Sequence, residues 1–233
     1  PRVSVGAAMS HEYASRDPAA RGAAAPPRTH DRGTDEFTRV VAFSDAIFAI
    51  AMTLLVVEVA VPALTDADSI RELAEKLNEM SEQIISFFIS FAVIGRYWLA
   101  HHTFIGSLAR MDTGVILWNL VYLAIIAFMP FPTALLGDYF YNPLAVSIYA
   151  VVIAVASGLE VVMFQHAYKR DLLSQPPTRR AYRWDLLQSM APVAFFLISV
   201  PLAFWSSFAA VVAWWLIGPF EALADRRRRT LGV

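Results

Sequence analysis

Residues 39 to 61, RVVAFSDAIFAIAMTLLVVEVAV, are as apolar as a membrane-spanning helix, yet Arg39, Ser44 and Asp45 stand near the start and Glu58 near the end. A hydrocarbon core about 30 Å thick takes about 20 residues of α-helix, so the stretch is long enough to cross it. An ionisable side chain at membrane depth costs about 2.5–3.5 kcal/mol on the insertion scale, so it faces protein or water and often marks an ion pathway. Asp45 lies about one turn inside the nearer end. Arg39 is no partner for it within the helix, because six residues at about 100° each set the two side chains about 120° apart. The partner has to come from another span.

Further apolar runs appear near 83–105, 113–136 and 143–167. The last block, 186–220, is too long for one crossing, and Pro201 followed by Trp205, Ser206 and Ser207 divides it into two short helices. The expectation is an all-α integral membrane protein with six transmembrane helices per subunit. Composition agrees: the 233 residues are 57% hydrophobic and 17% charged, with mean hydropathy +0.49, too apolar for an ordinary soluble domain. With no cysteine in the chain, disulfide, thiolate-metal and thiol-nucleophile chemistry are excluded.

Loop charges set an expected orientation. Arg28, Arg32 and Arg39 precede the first span, Arg110 follows the second, Lys169, Arg170, Arg179, Arg180 and Arg183 follow the fourth, and Arg226 to Arg229 follow the sixth. The loop 63–82 instead carries Asp66, Asp68, Glu72, Glu75, Glu79 and Glu82 against Arg71 and Lys76, and Asp138 follows the third span. The positive-inside rule then puts both termini in the cytoplasm and the acidic loop outside. In that loop Ile70, Leu73, Leu77 and Met80 recur at helical spacing, which predicts a short amphipathic helix. Residues 1–36, rich in Ala, Pro, Arg and Gly, are expected to be a disordered cytoplasmic tail. Residues 37–224 form the membrane domain, and 225–233 a basic cytoplasmic tail.

Hydrogen-bonding groups at the depth of Asp45 are visible in the second and third spans. In RYWLAHH, Trp98 and His102 are four residues apart and share a helical face, and Asn119 interrupts LWNLVYLAI. His101 and His102 have no carboxylate at ligand spacing, so no metal site is expected. Beyond Asp45, Ile50, Thr53, Leu54 and Val57 form an apolar stripe holding one hydroxyl. Such a stripe packs against sister helices or lines a pore whose constriction dewets. The first span is expected to be alone in joining an intramembrane carboxylate to such a face. One helix cannot enclose a channel, so a pore implies a cyclic homo-oligomer.

Arg39, Phe43-Ser44-Asp45, Ile50, Thr53, Leu54, Leu55 and Pro62 together resemble the signature first helix of the transmembrane-protein-175 family, the lysosomal potassium channels and their bacterial relatives. The segments SFAVIGRYWLAHH and WNLVYLAIIAFMPFPTALLGDY resemble that family's next two helices. The resemblance implies a potassium-permeable cation channel without a carbonyl selectivity filter, and no TVGYG-like segment occurs. By position, Ile50 is the narrow constriction, Leu54 and Val57 line the pore beyond it, and Thr53 bears on cation preference. Phe43 belongs to the signature, and Ser44, Asp45, Trp98, His102 and Asn119 form a hydrogen-bond network that Arg39 anchors at its end. A single six-helix repeat implies a homotetramer in a bacterial plasma membrane. The implied partners are the bilayer and further copies of the chain, with permeant K⁺, no cofactor and no nucleic acid. A proton-coupled transporter using Asp45 is the rival class. An enzyme is not expected, because P-loop, HExxH and GxSxG patterns are absent.

Overall fold

The computed structural model describes residues 29–230. Strand β1 (Thr29–Asp31) leads into α1 (Asp35–Leu54), a 3₁₀ turn (Leu55–Glu58) and α2 (Ile70–Glu79). Then come α3 (Ser81–Ser107), β2 (Arg110–Asp112), α4 (Thr113–Phe128), α5 (Pro130–Asp138), α6 (Pro143–Lys169), α7 (Arg179–Trp205), α8 (Ser207–Trp214) and α9 (Ile217–Thr230).

Helix boundaries obey local chemistry. Thr34, Ser69, Asp112, Asn142, Thr178 and Ser206 each accept a backbone N–H from the first turn of the next helix, satisfying donors that a helix start leaves unpaired. Asp35 and Glu36 add negative charge where the α1 dipole is positive. Pro130, with no N–H to give, separates α5 from α4 at Met129.

The helices pack around Phe48 and Ala51 of α1, Leu55 of the 3₁₀ turn, Ile94 and Tyr97 of α3, Tyr122 and Ile126 of α4, Tyr149 and Ile153 of α6, and Phe196 of α7. At one end of the bundle a smaller cluster of Phe37, Ile105, Leu108, Met111, Val115 and Leu172 sits under a two-stranded clasp. There Thr29 pairs with Asp112 and Asp31 with Arg110. The Arg32 N–H donates to the Ala109 carbonyl at 2.9 Å, and the Ala109 N–H to that of Leu172 at 2.8 Å. The clasp ties the start of α1 to the α3–α4 and α6–α7 connections.

Three expectations change. Thr29–Asp31 is a paired strand and Thr34 caps α1, so residues 29–36 are structured rather than tail, because their backbone groups find partners in β2. Residues 1–28 of that expected tail lie outside the described residues. At the other end α9 runs on through Thr230, so the basic segment is helical as far as the description reaches, and 231–233 lie beyond it. Finally, among the described residues five helices are long and apolar enough to cross a membrane, with a shorter apolar stretch at Ser207–Phe220. The 186–220 block does divide at Ser206, but unequally: α7 reaches back to Arg179 for 27 residues. The shorter part of the block is broken again between Trp214 and Ile217.

Candidate functional site

Helix α1 has two unlike faces. Phe37, Ser44, Phe48, Ala51 and Leu55 are buried against the rest of the chain, at spacings of seven, four, three and four. The opposite face, which carries Arg39, Phe43, Ile50, Thr53, Leu54 and Val57, is exposed along its whole length. Ile50 is 54% accessible and Val57 70%, a large uncovered apolar area. Val57 lies on the 3₁₀ turn that continues α1.

Thr53 interrupts this face with one polar atom, and its orientation is fixed. Its hydroxyl donates to the Ile50 carbonyl at 2.9 Å. The hydrogen is thereby turned back onto the helix, leaving the oxygen lone pairs directed outward.

The buried face is held by hydrogen bonds to α3 and α4. The fully buried Ser44 hydroxyl donates to the Val40 carbonyl at 2.9 Å and accepts the Asn119 amide N–H at 2.9 Å. The Asn119 carbonyl oxygen lies 2.8 Å from His101 Nε2. With the amide nitrogen committed to Ser44, that oxygen accepts, and His101 carries its proton on Nε2. The imidazole ring sits between Phe48 at 5.4 Å and Tyr122 at 5.6 Å, parallel to the latter within 3°. Separately, Asp45 Oδ1 accepts the Trp98 indole N–H at 2.9 Å, which is the cross-helix partner its position requires.

The histidine that joins Asn119 is therefore His101 and not His102. His101 continues the buried Ile94, Tyr97, Ile105 face of α3, whereas His102 is one residue and about 100° further round. It is exposed, with its ring 5.6 Å from that of Trp98. The spacing of three, four and four through Ile94, Tyr97, His101 and Ile105 was the signal for the correct histidine.

Sequence reasoning also missed a second polar locus. Glu160 lies within the apolar α6 span, a second carboxylate in a membrane-spanning helix. Its Oε1 accepts the Tyr122 hydroxyl at 2.9 Å, while Tyr97 bonds to the Ser157 hydroxyl at 2.6 Å. The lone glutamate in SGLEVVMF was the available signal.

Against this geometry, similarity to known proteins is decisive. A potassium channel of Chamaesiphon minutus is 32% identical over 192 residues, covering 81% of this chain and 94% of that one. The family described as "Endosomal/lysosomal potassium channel TMEM175" matches residues 39–130, from Arg39 of α1 to Pro130 at the start of α5. The chain belongs to the TMEM175 family. A Streptomyces collinus potassium channel is 35% identical over 157 residues, 64% of this chain and 75% of that protein. A solved structure described as a lysosomal potassium-selective channel TMEM175 homolog from Chamaesiphon minutus superposes with a TM-score of 0.69 at 30% identity. It covers 82% of this chain and 98% of the other. The bovine TMEM175, named an endosomal/lysosomal proton channel, is 33% identical over 97 residues, 40% of this chain and 20% of that protein. Membership of a channel family accounts for a chain built of membrane-spanning helices that carries no enzyme signature.

Proposed function

We propose that the protein is a potassium-permeable cation channel in which α1 from four copies lines a central pore. The observation that carries this is the division of labour on α1. One face is tied to its own subunit through Ser44, Asp45, Asn119, His101 and Trp98, and the other is an uncovered stripe of Ile50, Thr53, Leu54 and Val57. A stripe this apolar in a single chain fits a role inside an assembly.

Ile50 forms the constriction, with Leu54 and Val57 continuing it. Isoleucine offers no oxygen, so a cation passing it sheds water without a full set of replacement ligands, and a dewetted constriction of this kind filters modestly. The Thr53 oxygen, with its hydrogen turned away, supplies one acceptor beside that ring. No carbonyl filter is involved. Arg39 and Phe43 stand at the start of the same open face, and Asp45 acts as an anchor. The broken α8–α9 segment makes the sixth crossing, giving a multi-pass plasma-membrane protein with both termini in the cytoplasm.

The test is potassium flux into liposomes containing the purified protein, wild type beside Ile50→Asn. Rapid, non-saturating flux that the polar substitution raises is expected. Absence of flux from correctly assembled protein of both kinds removes the channel function.

A further inference from the structure

The α6–α7 connection gathers charge of one sign. Lys169 and Arg170 stand at the end of α6, Arg179, Arg180 and Arg183 at the start of α7, and between Lys169 and Arg183 the one carboxylate is Asp171. All five cations are exposed. Tyr168 and Tyr182 stack with ring centroids 3.8 Å apart, which fastens the end of α6 to the first turn of α7 and holds both groups at the same end of the bundle. Arg179, Arg180 and Arg183 make no ion pair among the described residues. Asp185, two residues after Arg183, stands about 160° round the helix from it.

An apolar stripe continues in line with those arginines. Arg180, Arg183, Leu187, Met190, Leu197 and Phe204 are exposed, and at about 100° per residue they fall within about 120° of arc. Of the exposed residues of α7, Ser189 alone lies off that arc. Helix α7 is a membrane-spanning helix of 27 residues, so the stripe passes from cationic to apolar as it enters the hydrocarbon, which is the outline of a phospholipid. Half of a core about 30 Å thick takes about ten residues of helix, and acyl chains of one leaflet reach from Arg183 past Leu187 and Met190. Helix α7 packs against α6, α8 and α9, and α1 against α3 and α4. In a ring of subunits closed around α1 the stripe therefore faces outward to lipid, a step that rests on the pore arrangement proposed above.

The charges choose the lipid. Arg180 and Arg183 are neighbours at helical spacing of three, and a guanidinium takes phosphate oxygens through two parallel N–H groups. Every phospholipid carries a phosphate, so discrimination comes from what is attached to it. A choline brings a second cation among Lys169, Arg170 and Arg179, whereas a glycerol leaves the head group with its net negative charge. Cationic segments at a membrane surface favour the latter.

We infer that Arg180 and Arg183 form a binding site for an anionic phospholipid of the phosphatidylglycerol type, with the phosphate on the two guanidinium groups and an acyl chain along Leu187 and Met190.

The test uses the full chain in liposomes of equal parts phosphatidylcholine and phosphatidylglycerol, with brominated acyl chains on one lipid or on the other. The readout is the quenching of Trp184, which is next to Arg183 and partly exposed. Subtracting the same measurement on Trp184→Phe removes the other tryptophans. Brominated phosphatidylglycerol is expected to quench wild type more strongly than brominated phosphatidylcholine. That preference should fall about fivefold for each arginine removed in Arg180→Gln/Arg183→Gln, and Arg180→Lys/Arg183→Lys, which keeps both charges, should retain most of it. Equal quenching by the two lipids in wild type, or a preference that the glutamine variant keeps, overturns the site. A lysine variant as poor as the glutamine variant overturns it as well, because charge would then not be the cause. Potassium flux is followed through the same liposomes. Flux without lipid preference overturns the site and leaves the channel function, and lipid preference in a protein that passes no potassium does the reverse.

Discussion

At the scale of single residues, Thr53 stands on the open face of α1, whereas Asn119 of α4 holds its buried face. Thr53 presents an oxygen whose hydrogen is already spent on Ile50, so Thr53→Ala should lower the potassium to sodium permeability ratio, by about fivefold if that contact is worth a typical net hydrogen bond of about 1 kcal/mol. Thr53→Ser, which keeps the oxygen, should stay close to wild type; bilayer reversal potentials measure both. Asn119 instead satisfies two buried groups at once, Ser44 and His101. Lipid gives apolar packing no hydrophobic advantage between helices, so cross-helix hydrogen bonds of about 0.6–2 kcal/mol weigh heavily. Asn119→Leu should cost about 1–3 kcal/mol by stranding both partners, seen as a lower melting temperature in detergent, whereas His102→Ala should change it little. Equal losses from the two variants would contradict the assignment of His101 to the network. That Asn119, Trp98 and Asp45 would seek hydrogen-bond partners was legible in the sequence because polar residues in apolar runs stand out. The choice between adjacent histidines required the face of α3 to be known.

At the scale of elements, the clearest device is the joint between the α4 start and the α6 end. Asp112 caps α4 through the Val115 N–H at 2.8 Å and lies 3.0 Å from His166 Nε2 in the last turn of α6. Burial pushes the Asp112 carboxyl up, but the Val115 N–H and the His166 ring outweigh it and hold the group below its ordinary value. A lowered carboxylate value means that the ionised form stabilises the fold above the ordinary range, near about pH 4. That stabilisation is lost as pH falls through the depressed value. The melting temperature of wild type should therefore exceed that of Asp112→Asn at about pH 5, and the margin should shrink on further acidification. A margin that widens below about pH 5 would refute the joint. Gly114 completes it, since a Cβ there would fall 2.5 Å from His166 Cε1 and Nε2. Element existence was largely legible: hydropathy located the first four spans, and the spacing of Ile70, Leu73 and Leu77 located α2. The strand pair was not, because β1 has three residues and its pairing depends on β2, about eighty residues away. Nor was the α8–α9 break, where apolarity continues although the helix does not.

At the scale of the whole molecule, the uncovered stripe of α1 has its counterpart in the acidic segment between α1 and α3. Six carboxylates between Asp66 and Glu82 face two cations, Arg71 and Lys76, and those cations pair with Glu75 at 3.5 Å and Glu79 at 2.9 Å. Solvent-exposed pairs of this kind contribute little to stability; under the proposed channel function the segment acts instead through its field. A negative mouth raises the local cation concentration, and salt screens it over about 10 Å at 0.1 M. Glu72 must be left intact in any test of this idea. Its carboxylate accepts the Thr65 and Asp66 N–H groups at 2.7 and 3.0 Å, which hold it below the ordinary carboxylate value and shape the loop itself. Asp68, Glu75, Glu79 and Glu82 can be changed together to their amides without touching those bonds. The fourfold variant should conduct less potassium than wild type at low ionic strength and equal it at 1 M salt, where the screening length has fallen to about 3 Å. A deficit that persists at high salt would mean that the substitutions altered the pore rather than its electrostatic environment. No deficit at low salt would separate the acidic segment from permeation.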